Sequence, residues 1–438
     1  MPGKHNAISI FQTAIAAVHP SNLVSKYIQL ADAILTIGQQ SLPLSTDQKI
    51  FVIGAGKATA AMALETERIL GDHIYKGFVT TKYQHVIALE KVVCWEAAHP
   101  VPDQNSFLAV ENTIELLQEA TANDIIICLL SGGASSLWAD VPEELSQSDM
   151  QVVFDKLLKS GASIHENNTV RKHLSKIKGG QLLRYAPDSK WFTLILSDVP
   201  DNDLSVIASG PTVADNTTYE DALGVLKKYQ LEEVIPTRVW EYLQRGAKGL
   251  FTETVKHNDP LLNIVTNIMI GANDIAIKAA SEKAQTMGYQ VHRLHSLHGD
   301  TIITAQAIIE FCKSFTGSLP ACIVTGGETT LQVTGTGIGG RNQHMALTAL
   351  IEMKKRKDNE TYSLTFLAAG TDGTDGPTDA AGAIADIESI AISVQKKLDP
   401  DTYFTNCDAY SFFKQTGGLL KTGPTQTNVM DLVLVLIE

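Results

Sequence analysis

The chain reads as an α/β protein of two domains, each built on a mostly parallel sheet flanked by helices. Three observations predict this. Its 438 residues exceed what a single core usually organises. Short apolar runs alternate with helix-period segments, the pattern of βα units feeding parallel strands. Most of the apolar runs end in a loop of glycine, serine or aspartate, the place where an open parallel sheet carries its ligands.

The first fifty residues read as helices broken at Pro20 and near Pro43, packing on the sheet that follows. Lys49 to Ile53 is the first strand and Ala58 to Leu70 a helix rich in alanine and leucine. Strands are expected at Gly77 to Thr81, Val92 to Glu96, Asp124 to Leu130 and Trp191 to Leu196, with helices at Asn105 to Ala120 and Asp149 to Ser160. Gly246 to Leu262 loses the apolar period and carries Gly246, Gly249, Asn258 and Pro260, which marks a connection. The expected domains are therefore 1–250 and 258–438. A second series follows: strand Ile264 to Ile270, helix Asp274 to Met287, strand Gln290 to Leu294, helix Thr301 to Phe315, the apolar run Cys322 to Val324, and strands Leu364 to Ala369 and Val429 to Ile437.

Composition narrows the function classes. An apolar share of 44% with 19% charged residues is that of a folded globular chain. The formal charge of −13 argues against a nucleic-acid or acidic-membrane surface, so any anionic ligand must be met by locally placed cations. The five cysteines form no CxxC pair, and neither a disulfide framework nor a zinc site is expected. The apolar stretch Ala7 to Val18 is interrupted by Gln12 and Thr13 and reads as a helix, not a signal segment. No run reaches transmembrane length, and a cytoplasmic protein with no membrane partner is expected.

The loops carry the chemistry. Thr325-Gly326-Gly327-Glu328 follows one apolar run, and Gly339-Gly340-Arg341-Asn342-Gln343 opens a helix. Glycines admit close backbone approach, free N–H groups at a helix start favour an anion, and an arginine adds a planar charged fork. Ser131-Gly132-Gly133-Ala134-Ser135-Ser136 offers N–H groups and hydroxyls to a phosphate but is not a P-loop. After the first strand, Gly54-Ala55-Gly56 is followed by Lys57, with Thr59 at the third glycine position of a dinucleotide fingerprint and no acidic residue ending the next strand. That fingerprint fails in both parts. Lys57 reads instead as a cation beside an anionic group. Asp198 and Asp372, each just beyond an apolar strand, suit Mg²⁺ held with waters and a substrate phosphate, while Asp203 and Asp379 read as turn or cap residues. Gly271-Ala272-Asn273 continues the glycine-loop theme. His99-Pro100-Val101-Pro102-Asp103 is compatible with substrate binding or a structural role, and the basic stretch Arg171, Lys172, Lys176 and Lys178 with a solvated face or the border of an anionic ligand.

Taken together, Gly54-Ala55-Gly56-Lys57-Ala58, His99 to Asp103, Ser131 to Ser135, Leu196-Ser197-Asp198-Val199-Pro200, Ala208-Ser209-Gly210-Pro211-Thr212, Gly326 to Thr330, Gly339 to Gln343 and Ala369 to Thr378 resemble the glycerate 2-kinase family, whose C-terminal part is called the MOFRL domain. The resemblance covers nearly the whole chain. One departure is Ala134, where the family's SGGGS loop has glycine, and another is the more polar Asp201-Asn202-Asp203. The resemblance implies a Rossmann-like N-terminal domain, a smaller MOFRL-type C-terminal domain and an active site in the cleft between them. It implies ATP-dependent, Mg²⁺-assisted phosphorylation of D-glycerate at its 2-hydroxyl, with Lys57 and Arg341 as the catalytic cations. On this reading Gly54, Gly56, Ser131, Gly132, Gly133, Ser135, Ser136, Asn273, Gly326 and Gly327 bind nucleotide or substrate, and Asp198 and Asp372 the metal. A homodimer is left open. Two other classes stand beside the kinase: an NAD(P)H-dependent hydroxypyruvate reductase, a label carried by relatives of the family, and a non-catalytic small-anion-binding protein.

Overall fold

The structure, a computed structural model, describes residues 2–355 and 363–438. The chain divides into two compact units, residues 24–270 and residues 1–23 with 271–438. The expected boundaries shift accordingly. The chain opens with α1 (Pro2–Ala17) and α2 (Pro20–Tyr27), and α1 packs on elements of the C-terminal unit, not on the sheet that follows it. Its buried stripe of Ala7, Ile10, Phe11 and Ala14 has helical spacing, which shows that a partner exists without saying which. By length and composition alone, the helical stretch Gly3–Tyr27 would suffice to cross a bilayer, contrary to expectation, but this stripe is buried within the protein.

In the unit 24–270, the residues after α2 form an antiparallel meander, β1 (Ile28–Ala31), β2 (Ile34–Ile37) and β3 (Gln40–Pro43), where more helix was expected. The main sheet holds β4 (Ile50–Ala55), β5 (Ile74–Lys82), β6 (Val92–Ala97), β7 (Ile125–Ser131), β8 (Lys190–Leu196) and β9 (Val265–Gly271) in the order β6-β5-β4-β7-β8-β9. The first five neighbours are all parallel, with Ile53 opposite both Phe78 and Cys128. Every residue of β4 and β7 is buried, as a parallel sheet covered on both faces demands. The order is that of the doubly wound dinucleotide-binding fold, and its switch point falls between the carboxyl ends of β4 and β7. Strand β9, expected to open the second series, is this sheet's sixth strand. The stretch 246–262, expected as the connection, stays in this unit: Val255 pairs through its backbone with Gly179 and Asp215.

Helices α3 (Thr59–Leu70), α4 (Gln104–Leu117) and α5 (Ala134–Leu137) follow the sheet strands. Helices α6 (Gln147–Lys159), α7 (Ile164–His173), α8 (Tyr219–Lys228) and α9 (Thr237–Ala247) form a layer around their own core of Leu157, Val170, Leu226 and Leu243. Asp103, Ser146, Ser163 and Thr218 each close a capping box at the start of α4, α6, α7 and α8, a contribution of about 1 kcal/mol apiece.

The other unit contains α10 (Asn273–Thr286), β10 (Gln290–Arg293), α11 (Thr301–Lys313), β11 (Ala321–Gly327), α12 (Arg341–Lys354), β12 (Leu364–Gly370), β13 (Gly382–Ala385), α13 (Ile387–Gln395), α14 (Pro400–Thr405), α15 (Ala409–Thr416), β14 (Leu419–Leu420) and β15 (Asp431–Ile437). Its sheet runs β10-β11-β15-β12-β13-β14 and is mixed, not mostly parallel: only β10 and β11 pair in parallel. The cause is β15, which inserts antiparallel between β11 and β12 with Val435 opposite both Ile323 and Phe366. A fully buried strand reads as a continuous apolar run whichever way it points, so sequence leaves its polarity open. Helix α1 packs on α10, β12 and β15, while α11, α12 and α15 enclose a core with Ile323, Phe366, Val433 and Phe412. As expected, Asp300 caps α11 by accepting from the Ile302 and Ile303 N–H groups.

Candidate active site

In the unit 24–270, the switch point brings the Gly54–Ala58 loop against the Ser131–Ser136 loop. The N–H of Gly56 donates to Thr80 O (3.0 Å), that of Lys57 to Gly132 O (2.9 Å) and that of Ala58 to Ser131 Oγ (3.0 Å). The donors that would hold a pyrophosphate in a dinucleotide fold are thus used internally. Ser131, fully buried and also 3.1 Å from Thr59 Oγ1, ties the end of β7 to the start of α3 and is not open to a ligand. Gly54 and Gly56 serve close packing: a Cβ on either would overlap Leu129 or Ser131.

Gly133 sits at φ +87°, and a Cβ there would press on the His99 ring and on Lys57 Cγ. Lys57, His99 and the Gly132-Gly133 turn are therefore neighbours, which brings the histidine motif to the lysine. Beyond the turn, Ser135 Oγ lies 3.0 Å from Ser209 Oγ, which donates to Asn168 Oδ1 at 3.0 Å. Ala208 and Ser209 are both left-handed (φ 54° and 58°), a strain of roughly 1–3 kcal/mol each that tends to gather at functional sites. Asn168 Nδ2 is buried and has no hydrogen-bond partner among the described residues. Asp198, half-buried, stands two residues beyond Leu196, the register partner of Ser131.

The basic stretch is not a solvated face: Lys172 and Lys178 are buried, and Arg171 and Lys176 are half-buried. Lys172 pairs with Asp215 at 3.2 Å. Lys178 donates to Trp138 O (2.6 Å) and stands 3.6 Å from Asp140 Oδ1; burial holds its ammonium below the ordinary lysine range.

In the other unit, Arg341 begins α12. Its Nε and Nη2 donate to the two oxygens of Asp431 (2.6 and 3.0 Å), and Nη1 to Glu328 Oε1 (2.5 Å). Burial works against the charge, but Asp431 and Glu328 outweigh it and hold the guanidinium above its ordinary value. Of the five N–H donors of an arginine, two remain for a ligand, on a side chain 33% exposed. Gly340, the N-cap, has no side chain to cap with, and Asp375 replaces it by accepting from the N–H groups of Asn342 (3.1 Å) and Gln343 (2.8 Å). Burial pushes the Asp375 carboxyl up to about 7 against the pull of these donors, with Asp431 adding to the rise and Arg341 opposing it.

Asn273 Nδ2 donates to Val429 O (2.6 Å) and Asp431 O (3.0 Å), so it anchors the strand entry that carries the arginine's counter-ion. Gly326 leaves room for the Asn273 amide and Gly327 packs on Leu297, so these three expected binding residues act as scaffold. Asp372 is buried and closes a turn, its Oδ1 accepting from Thr374 N (3.0 Å) and Oγ1 (3.1 Å). Asp198 and Asp372 belong to different units. Among the described residues, no group of three or more His, Cys, Asp or Glu could hold a metal.

Sequence reading missed Asp431 and Asp375 and left Glu328 without a role. The available signal was Asp431 itself, a lone carboxylate heading an otherwise apolar strand, since a buried charge needs a partner.

Fold and loops together define a two-unit α/β protein with dinucleotide-type strand order whose switch point is built around a lysine and not around free backbone donors. Comparison with known proteins narrows this. Residues 6–244 match a domain of unknown function, DUF4147, and residues 321–431 match the MOFRL family. A glycerate 2-kinase of Pyrococcus horikoshii is 38% identical over 97% of this chain and 95% of its own length. A D-glycerate 2-kinase of Thermotoga maritima is 37% identical over 99% and 98%. A crystal structure of glycerate kinase from Thermotoga maritima superposes with a TM-score of 0.84 at 37% identity, covering 99% of each chain. The chain belongs to the glycerate 2-kinase family.

Proposed function

We propose that this protein is an ATP-dependent kinase that phosphorylates the 2-hydroxyl of D-glycerate. The 2-hydroxyl oxygen forms a bond to the γ-phosphorus, the bond from that phosphorus to the β,γ-bridging oxygen breaks, the hydroxyl proton departs, and 2-phosphoglycerate and ADP leave. The observation that carries this reading is the position of Lys57: it stands at the switch point beside Gly133 and His99, in a chain related over its full length to glycerate 2-kinases. Phosphoryl transfer asks for positioning and charge neutralisation more than covalent chemistry. Lys57 and the two remaining donors of Arg341 supply the cations, one for the migrating phosphoryl group and one for the glycerate carboxylate. Gly132, Gly133, Ser135 and Ser136 contact the nucleotide phosphates.

Single carboxylates fit a Mg²⁺ ion that arrives with the nucleotide, since this ion keeps several waters and takes only one or two carboxylates, and among the described residues no group of three or more possible ligands stands in its place. Asp198 or Asp372 would hold it, and when bound it neutralises phosphate oxygens. The reductase reading is weakened by the internal use of the Gly56, Lys57 and Ala58 N–H groups.

The test is incubation with ATP, Mg²⁺ and D-glycerate, followed by identification of the product. Release of ADP with 2-phosphoglycerate is expected. Formation of 3-phosphoglycerate would overturn the regiochemistry, and glycerate-independent or absent ADP release would overturn the kinase. NADH oxidation by hydroxypyruvate without ATP would favour the reductase.

A further inference from the structure

Within the unit 24–270, the residues after Ser135 open on a cavity of about 430 Å³, inside the range of small-molecule sites. Met150, Phe154 and Leu158 line it from one face of α6, at a spacing of four residues, and Pro100, Val101 and Pro102 line it from the loop after β6. Leu158 and Val101 are 74% and 68% exposed, two aliphatic side chains left to solvent at the same cavity. Other aliphatics of the chain are also exposed, but these two line one cavity together, where apolar surface can serve a ligand.

The cavity's charges point the same way. Its two carboxylates are already paired: Asp140 accepts from Ser175 Oγ and the Lys176 N–H and lies beside Lys178, and Asp155 pairs with Lys159 at 2.8 Å. Arg171 is the cation left over. Its guanidinium lies 4.8 Å over the Phe154 ring, and its buried Nε has no hydrogen-bond partner among the described residues. A mostly buried guanidinium with an unused donor is the fork that an anion satisfies. Ser135 and Ser136 add hydroxyls to the same lining.

An apolar slot with one unsatisfied guanidinium matches a flat, weakly polar ring joined to an anion. Inorganic phosphate alone would leave the slot empty, and a purely apolar ligand would leave Arg171 unpaired. We propose that this cavity seats the adenine nucleotide, with the base against Phe154 and Leu158 and the phosphates toward Arg171, Ser135 and Ser136. The assignment rests on the kinase reading and locates its nucleotide.

The test combines calorimetric titration of the full-length protein with ADP and steady-state kinetics, for wild type, Arg171→Gln and Leu158→Glu. Leu158 is exposed, so its variant keeps the fold even if Arg171→Gln does not. Both variants are expected to raise the ADP Kd and the ATP KM by about tenfold or more, with the glycerate KM within about twofold of wild type. Adenosine should compete with ADP in wild type and lose that ability in Leu158→Glu. If wild type binds ADP and the folded variants bind it equally well, the nucleotide lies elsewhere: the cavity assignment falls and the kinase stands. Competition by pyrophosphate but not by adenosine would also overturn it. Absence of both ADP binding and ADP release in wild type would sink the underlying kinase reading.

Discussion

Asp375→Asn is the most informative single substitution, because it separates the charge of the buried carboxyl from its shape. The wild-type carboxyl titrates near 7 in the folded protein against an ordinary value of 3.8. Between those values the folded state holds a proton that the unfolded state has released, so unfolding free energy falls as pH rises, by about 1.4 kcal/mol per unit. The stability is full below the ordinary value and is lost by the time pH passes the folded value. From pH 5 to 7 the loss is roughly 2 kcal/mol, the slope easing as pH reaches the folded value. Asparagine can accept at one position only, whereas both Asp375 oxygens accept N–H bonds, so near pH 5 the variant should be the less stable by about 1–3 kcal/mol for the N–H left without an acceptor. From pH 5 to pH 8 the difference should shift in favour of the variant by roughly 2–3 kcal/mol. All four tryptophans (Trp95, Trp138, Trp191 and Trp240) lie in residues 24–270, whereas Asp375 lies in the other unit. Urea unfolding must therefore be followed by far-UV circular dichroism and not by tryptophan fluorescence. A wild-type-minus-variant difference that is flat from pH 5 to 8, or that grows in favour of wild type, would refute the reasoning.

Three other outcomes are expected. Lys57→Ala and Arg341→Ala should each lower kcat/KM for glycerate phosphorylation by about 10²–10³, the loss typical of one preorganised charge-stabilising group, and near wild-type values for both would remove them from the site. Gly56→Ala adds a Cβ against Ser131 at φ +142° and should cost at least about 2 kcal/mol, read as a lowered Tm; an unchanged Tm would contradict the packing described. Burial pushes the His344 imidazole down to about 4, so the unfolded state binds its proton first as pH falls from 6.5. Stability is present above the ordinary value and is lost by roughly 3 kcal/mol on the way to pH 4; His344→Leu should flatten that acid slope in a pH series of melts.

Much of the architecture was legible in the chain. The apolar runs at Ile125 to Leu130 and Trp191 to Leu196 announced buried parallel strands, and the loops after them announced where a ligand would sit. Lys57 stood out because a dinucleotide fingerprint broke at its position. Arg341 stood out because it follows two glycines at a helix start. What stayed hidden was pairing. Glu328 looked prominent without a role, Asp431 was one polar position inside the run Val429 to Ile437, and the basic stretch from Arg171 to Lys178 was left open between a solvated face and the border of an anionic ligand, since nothing local says that Lys172 meets Asp215 or that Arg171 lies over Phe154.

Local chemistry and period thus determined the α/β class and most strand and helix positions, and singled out Lys57 and Arg341 as candidates, because these depend on residues within a few positions of one another. Only the tertiary structure decided that α1 joins the C-terminal unit, that β9 completes the first sheet and β15 runs antiparallel within the second, and that Ser131, Asn273 and Gly326 are scaffold. Each of these depends on which of several equally apolar or polar surfaces meet across long stretches of chain. That choice is made by packing and by the pairing of buried charges, and sequence spacing does not encode it.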